Sequence, residues 1–251
     1  MNRKYLSWRD KIINILFIAK LTKKIQPWLG GLCLILIIIS GWLIYNSPDD
    51  YKQGITVKIM FIHVPAAWLS LFCYSFLTIN AFIYLVWRHT IAYLFFKSAL
   101  PIGTIFTILT IITGSYWGKP TWGTWWVWDA RLTSFFILLI IYLLLVTLQH
   151  SVKENSKLAI ISSIFTIIGF VNIPIIKYSV DWWNSLHQGA SVSIITGNQI
   201  ENIFLKILLV STITMQFLFF YFLIILLQNT ILKQQIYTKK QLLLTKYDRE
   251  N

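Results

Sequence analysis

Six apolar runs, each near the roughly 20 residues a helix needs to cross a hydrocarbon core, limit this chain more than any other feature. Inside a bilayer every backbone polar group must be satisfied within its own segment, so runs of this length read as helices. The predicted spans are about residues 28–45, 61–86, 98–116, 132–148, 158–176 and 203–227. Pro27 is read as opening the first, and Asn46-Ser-Pro-Asp-Asp50 as the turn that closes it. The chain is 57% hydrophobic and only 12% charged, with a mean hydropathy of +0.66. The expected fold class is therefore all-α, a polytopic integral membrane protein of six transmembrane helices. Its organisation is expected to be a basic N-terminal segment, 1–27, a membrane domain, 28–230, and a basic tail, 231–251. The first segment suits either a helix lying on an anionic leaflet or a frayed tail. No cleavable leader is expected, because no small-residue cleavage site follows the first strong apolar run.

The net charge of +13 comes from cations concentrated in the tails and short links, which fits membrane orientation better than nucleic-acid binding. With the N-terminus inside, sixteen of the 22 Lys and Arg residues fall on the inner side, including Arg88, Lys97, Lys157 and both tails. Both termini are then expected to be cytoplasmic, since an even number of spans returns the chain to its starting side. Cys33 and Cys73 lie in separate apolar runs without CxxC spacing, so they read as packing residues rather than a redox pair or thiolate metal site.

One stretch exceeds what membrane anchoring requires: Trp117-Gly-Lys-Pro-Thr-Trp122-Gly-Thr-Trp125-Trp126-Val-Trp128-Asp129-Ala-Arg131. Five tryptophans occupy twelve positions in a chain with 12 among 251 residues, where an even spread would give less than one. If the second half is helical, Trp122, Trp125, Trp126 and Asp129 fall on one side. Gly118, Pro120 and Gly123 argue against regular helix in the first half. On the same expected outer face lie His63, where the second span begins, and His187, in a long loop about 177–201 beside Trp182 and Trp183. Either histidine taken alone reads as an interfacial residue, and the tryptophans taken alone as an aromatic belt. Together, two neutral imidazoles flanking flat indoles suggest a site for haem, whose iron accepts axial imidazole and whose ring stacks on indole. Lys119, Arg131 and Lys177 are the cations available to the propionates, with snorkelling or topology marking as the plain alternative. Asp129 reads first as a helix cap or a partner of Arg131. His89 and His150, at the inner boundaries, receive no role.

Residues 117–134 resemble the tryptophan-rich "WWD" signature of haem-handling proteins, and closely that of the cytochrome c maturation protein C (CcmC) family. Two further blocks resemble the same family: His63-Val-Pro-Ala-Ala67, and the stretch from Asn172 to Gly189. The resemblance spans about residues 28–230 and leaves out both tails. It implies a six-span protein that holds haem b on the outer, periplasmic face between two axial histidines, here His63 and His187. The WWD platform, Trp117, Trp122, Trp125, Trp126 and Trp128 with Asp129, Lys119 and Arg131, would lie against the ring. It further implies delivery of haem to the membrane-tethered chaperone CcmE, work alongside the transporter subunits CcmA and CcmB and the small protein CcmD, and transport rather than catalysis. The implied location is a bacterial inner membrane, with a mitochondrial one as the alternative.

Two other classes stay open. A b-type cytochrome carrying electrons would want histidine pairs inside the spans. A cofactor-free permease subunit would leave the tryptophans without a purpose, and the spans offer few ionisable residues to mark a permeation path.

Overall fold

The computed structural model of the protein describes residues 8–151, 156–183, 185, 187 and 200–250. Among these, helix is the only extended secondary structure: α1 (Trp8–Tyr45), a 3₁₀ turn (Ile55–Ile59), α2 (Met60–Trp87), α3 (Thr90–Trp122), α4 (Ala130–Ser151), α5 (Ser156–Gly169), α6 (Asn172–Trp182) and α7 (Asn202–Glu250). Six segments are long and apolar enough to cross a membrane, with α5 and α6 together making one of them. The six expected spans are therefore present. Arg3, Lys4 and Lys153, three of the sixteen expected inner-side cations, lie outside the described residues, as do Asn184, Leu186, Gln188 and Gly189 of the third resembling block.

Helix ends differ from expectation at the prolines and glycines. Pro27 lies inside α1, which runs unbroken from Trp8. A proline removes one amide donor, and that loss is absorbed in membrane helices where neighbouring groups compensate. The last span likewise continues as helix through the basic tail to Glu250. In the tryptophan stretch the expected order is reversed. α3 continues through Gly118 and Pro120 to Trp122, whereas 123–129 is not helical. Gly123 is the terminator: it adopts φ 76°, a left-handed conformation favouring glycine, and its N–H donates to Lys119 O at 3.0 Å. The tryptophans thus do not share one helix face. α4 starts at Ala130 because Asp129 caps it, its Oδ1 accepting from Leu132 N at 2.7 Å, as the cap reading anticipated.

The fifth span breaks at Phe170–Val171, and its helix extends beyond the expected 176 to Trp182. Pro174 explains the break, since its ring would collide with the carbonyl of residue 170 in a continuous helix. The restart is tied to α4 by Asn172 Nδ2 donating to Ser134 O at 2.9 Å. As a result Lys177, Tyr178 and Asp181 stand on α6 rather than in a loop.

α2 and α3 form the centre, with α4, α5 and α6 on one flank and α7 on the other, and α1 packs against α7. Two apolar clusters fix which ends meet. At one end Val57, Phe61, Phe204 and Leu208 pack with Leu43 and Trp117. At the other, Leu94, Leu227 and Ile231 pack with Ile15 and Ile18. The N-terminal part of α1 and the C-terminal part of the last span therefore share one end, opposite the tryptophans.

Within a bilayer there is little hydrophobic drive between helices, so close packing and hydrogen bonds hold the bundle. Tyr142 Oη donates to Ser70 O at 3.0 Å and Tyr74 Oη to Thr166 O at 3.1 Å, the two rings meeting edge to face at 5.3 Å. Gly103 and Gly169 make room for them, since an added Cβ at either would strike the Tyr142 or Tyr74 hydroxyl.

Candidate functional site

At the tryptophan end, the start of α2, the end of α3, the start of α4 and the residues after α6 enclose a cavity of about 570 Å³. That volume lies in the range of small-molecule and cofactor sites. Its walls include His63, Trp117, Trp122, Trp126, Arg131, Lys177 and His187, with Gln53 at the edge and Leu71, Leu132, Phe135 and Ile176 below. His63 and His187, 124 positions apart in the chain, face this one space.

Each imidazole has an indole beside it. Trp117 meets His63 edge to face with centroids 5.6 Å apart, and Trp122 meets His187 at 4.8 Å. Trp117 is in turn held by Gln53, whose Oε1 accepts from the indole N–H at 2.8 Å. Gly114 lies under His63, and a Cβ there would come within 2.8 Å of its Cε1, so only glycine leaves the ring its place.

The ring protons can be assigned from the partners. Thr113 Oγ1 donates its single proton to Leu109 O at 2.7 Å, so toward His63 Nδ1, 3.1 Å away, it can only accept. His187 Nδ1 lies 2.9 Å from Asp129 Oδ2. Both rings therefore carry hydrogen on Nδ1, leaving the Nε2 lone pairs free. Burial alone would raise the Asp129 pKa, but hydrogen bonds from Ser185, Leu132 and His187 outweigh it and hold the carboxyl below its ordinary 3.8. Burial pushes His187 below its ordinary 6.5, outweighing the opposing pull of Asp129, so the imidazole is neutral at pH 7.

The remaining predicted residues divide. Trp126 lines the cavity, and its indole N–H is buried with no partner among the described residues, the kind of orphaned donor a bound acceptor would satisfy. Arg131 also lines it, its Nε 3.4 Å from Ser179 Oγ, with Asp129 and Asp181 as its carboxylate neighbours. Trp125 and Trp128 do not line the cavity and are 51% and 75% exposed. Trp125 packs on Tyr116 at 5.3 Å beneath the Lys119 ammonium, while Trp128 packs on Trp126 at 5.6 Å. Lys119 is turned away, donating to Gly123 O at 2.9 Å, whereas Lys177 joins the wall. Gln53, Thr113, Gly114 and Ser185 complete the site without having been singled out in the sequence. Thr113 and Gly114 sit as small groups in an apolar run, and the others become visible only through contacts between segments distant in the chain.

An orphaned indole donor, two free imidazole lone pairs, apolar walls and Arg131 with Lys177 fit a flat, anionic, metal-bearing ring such as haem.

Comparison with known proteins gives a consistent outcome. Residues 8–242 match the sequence pattern of the family described as CcmC, Heme exporter protein C. A protein named Heme exporter protein C from Bradyrhizobium diazoefficiens is 47% identical over 216 residues, covering 86% of this chain and 82% of that one. One of the same name from Escherichia coli K12 is 44% identical over 167 residues, 66% of this chain and 68% of its own. A ccmC-like mitochondrial protein of Marchantia polymorpha, whose name assigns it to cytochrome c biosynthesis, is 46% identical over 164 residues, 65% of this chain and 69% of that one.

Proposed function

The chain belongs to the Heme exporter protein C family, and on that premise we propose that it is a haem-handling membrane protein of c-type cytochrome biogenesis whose cavity holds haem b between His63 and His187. The observation that carries this reading is the pairing of two Nδ1-protonated imidazoles around one indole-walled space. Haem supplies an iron with two axial positions open to imidazole. His63 and His187 would occupy them through Nε2, Trp117, Trp122 and Trp126 would lie against the ring, and Arg131 and Lys177 would pair with propionates. Lys119, Trp125 and Trp128 would act at the rim, outside the cavity proper. The family supports transport rather than catalysis, and work together with other Ccm components.

In the finer reading the protein sits in a bacterial inner membrane with both termini cytoplasmic and the cavity on the periplasmic side. It passes haem to the tethered chaperone CcmE and works beside CcmA, CcmB and CcmD. A cavity open at the bundle end, rather than one sealed between spans, suits a carrier that must release what it holds. Covalent haem on CcmE tests this in cells expressing His63→Ala, His187→Ala or His89→Ala. The first two should abolish chaperone haem at normal protein levels, and the third should leave it intact. Equal loss from all three would remove the site assignment.

A further inference from the structure

Resting on the haem reading above, we infer that Asp129, buttressed by Ser185, is the positioning residue that makes His187 the firmer of two unequal axial ligands, with His63 the side that yields first. The two histidines are mounted differently. His63 stands on α2 and is fixed by the helix, by Gly114 beneath its ring and by Trp117 at its edge. His187 lies beyond the end of α6 and is itself not helical. Its position depends on a clamp. The Ser185 hydroxyl donates to Asp129 Oδ2 and accepts from the His187 backbone N–H at 3.1 Å, while Asp129 Oδ2 accepts from the ring at 2.9 Å. Asp129 is itself rigid, because its other oxygen caps α4. A ligand outside a helix needs such support to reach productive geometry.

The second partners differ in chemistry as well. His187 donates to a carboxylate, which fixes its tautomer and makes Nε2 a stronger electron donor. His63 donates to a neutral hydroxyl, with the Thr110 backbone carbonyl beside it as a second neutral acceptor. A charged acceptor strengthens its hydrogen bond about twofold over a neutral one. The His63 side would therefore yield before the His187 side, giving release a direction.

Asp129→Asn separates this role from helix capping. Asparagine caps a helix as well as aspartate does, but its amide N–H turned toward His187 favours the tautomer with hydrogen on Nε2, and a protonated Nε2 has no lone pair for iron. Haem titration of the purified full chain is expected to give about 10–100-fold weaker binding for Asp129→Asn, with the ferric spectrum moving from six-coordinate low-spin toward five-coordinate high-spin. Ser185→Ala, which leaves the α4 cap untouched, should weaken binding about three- to tenfold with the same spectral trend. Thr113→Val should cost about threefold or less, since the Thr110 carbonyl remains. Wild-type affinity and spectrum in both Asp129→Asn and Ser185→Ala, or a greater loss in Thr113→Val, would overturn the inference. A wild-type protein that takes up no haem would instead remove the haem reading, and this inference with it.

Discussion

At the scale of single residues, the site is governed by where protons sit. His187 is buried enough that its pKa falls below 6.5 despite the adjacent carboxylate, so the folded chain holds this ring neutral while the unfolded chain would protonate it at about 6.5. Between the folded and unfolded values the unfolded chain binds more protons, so stability rises with pH across that window and is lost as pH falls through it. Chemical denaturation of the haem-free protein should therefore show stability declining below pH 6.5, and His187→Gln should flatten that decline. An unchanged slope in the variant would mean that the ring is not held neutral. Residue identity was partly legible in the sequence. His63, His187, Trp117, Trp122 and Trp126 line one cavity, and all five stood out by type and expected side. Thr113, Gln53 and Ser185 did not, because a hydrogen bond between residues far apart in the chain leaves no periodic trace at either.

At the scale of elements, proline and glycine are where sequence and structure part. Both disfavour helix on average, yet Pro27, Gly118 and Pro120 lie inside helices, while Gly123 ends one and the collision imposed by Pro174 divides another. Which outcome applies depends on the neighbouring helices that can compensate, and local sequence does not contain them. The tryptophans share one face only if 122–129 is helical, whereas α3 ends at Trp122 and Gly123 turns the chain, so Trp125 and Trp128 lie outside the cavity lining. Helix contact also explains glycines with no turn to make. Gly103 abuts Tyr142, whereas Gly41 has nothing within 4 Å. Gly103→Ala should cost about 1–3 kcal/mol by overpacking, read as lower thermal stability in detergent, and Gly41→Ala should not. Equal stability of the two variants would mean that the α3–α4 approach is looser than described.

At the scale of the molecule, apolar run length fixed the class reliably because the bilayer permits few solutions. The up-and-down order of the spans gathers the ends of α1 and α3, the starts of α2, α4 and α7 and the end of α6 at the end of the bundle that holds the cavity, and both terminal parts of the bundle at the opposite end. Loops so collected can build a binding site from residues far apart in sequence, while the membrane core needs only to pack. Both natural cysteines are buried in that core, Cys33 at 3% and Cys73 at 0% exposure, in keeping with a packing role. The central claim is that one iron is held by two imidazoles from different elements. Ferric absorption and electron paramagnetic resonance of the purified protein, wild type against His63→Ala and His187→Ala, test it most directly. A low-spin bis-imidazole signal in the wild type that is lost in each variant is the predicted result, and a bis-imidazole signal persisting in either variant would contradict it.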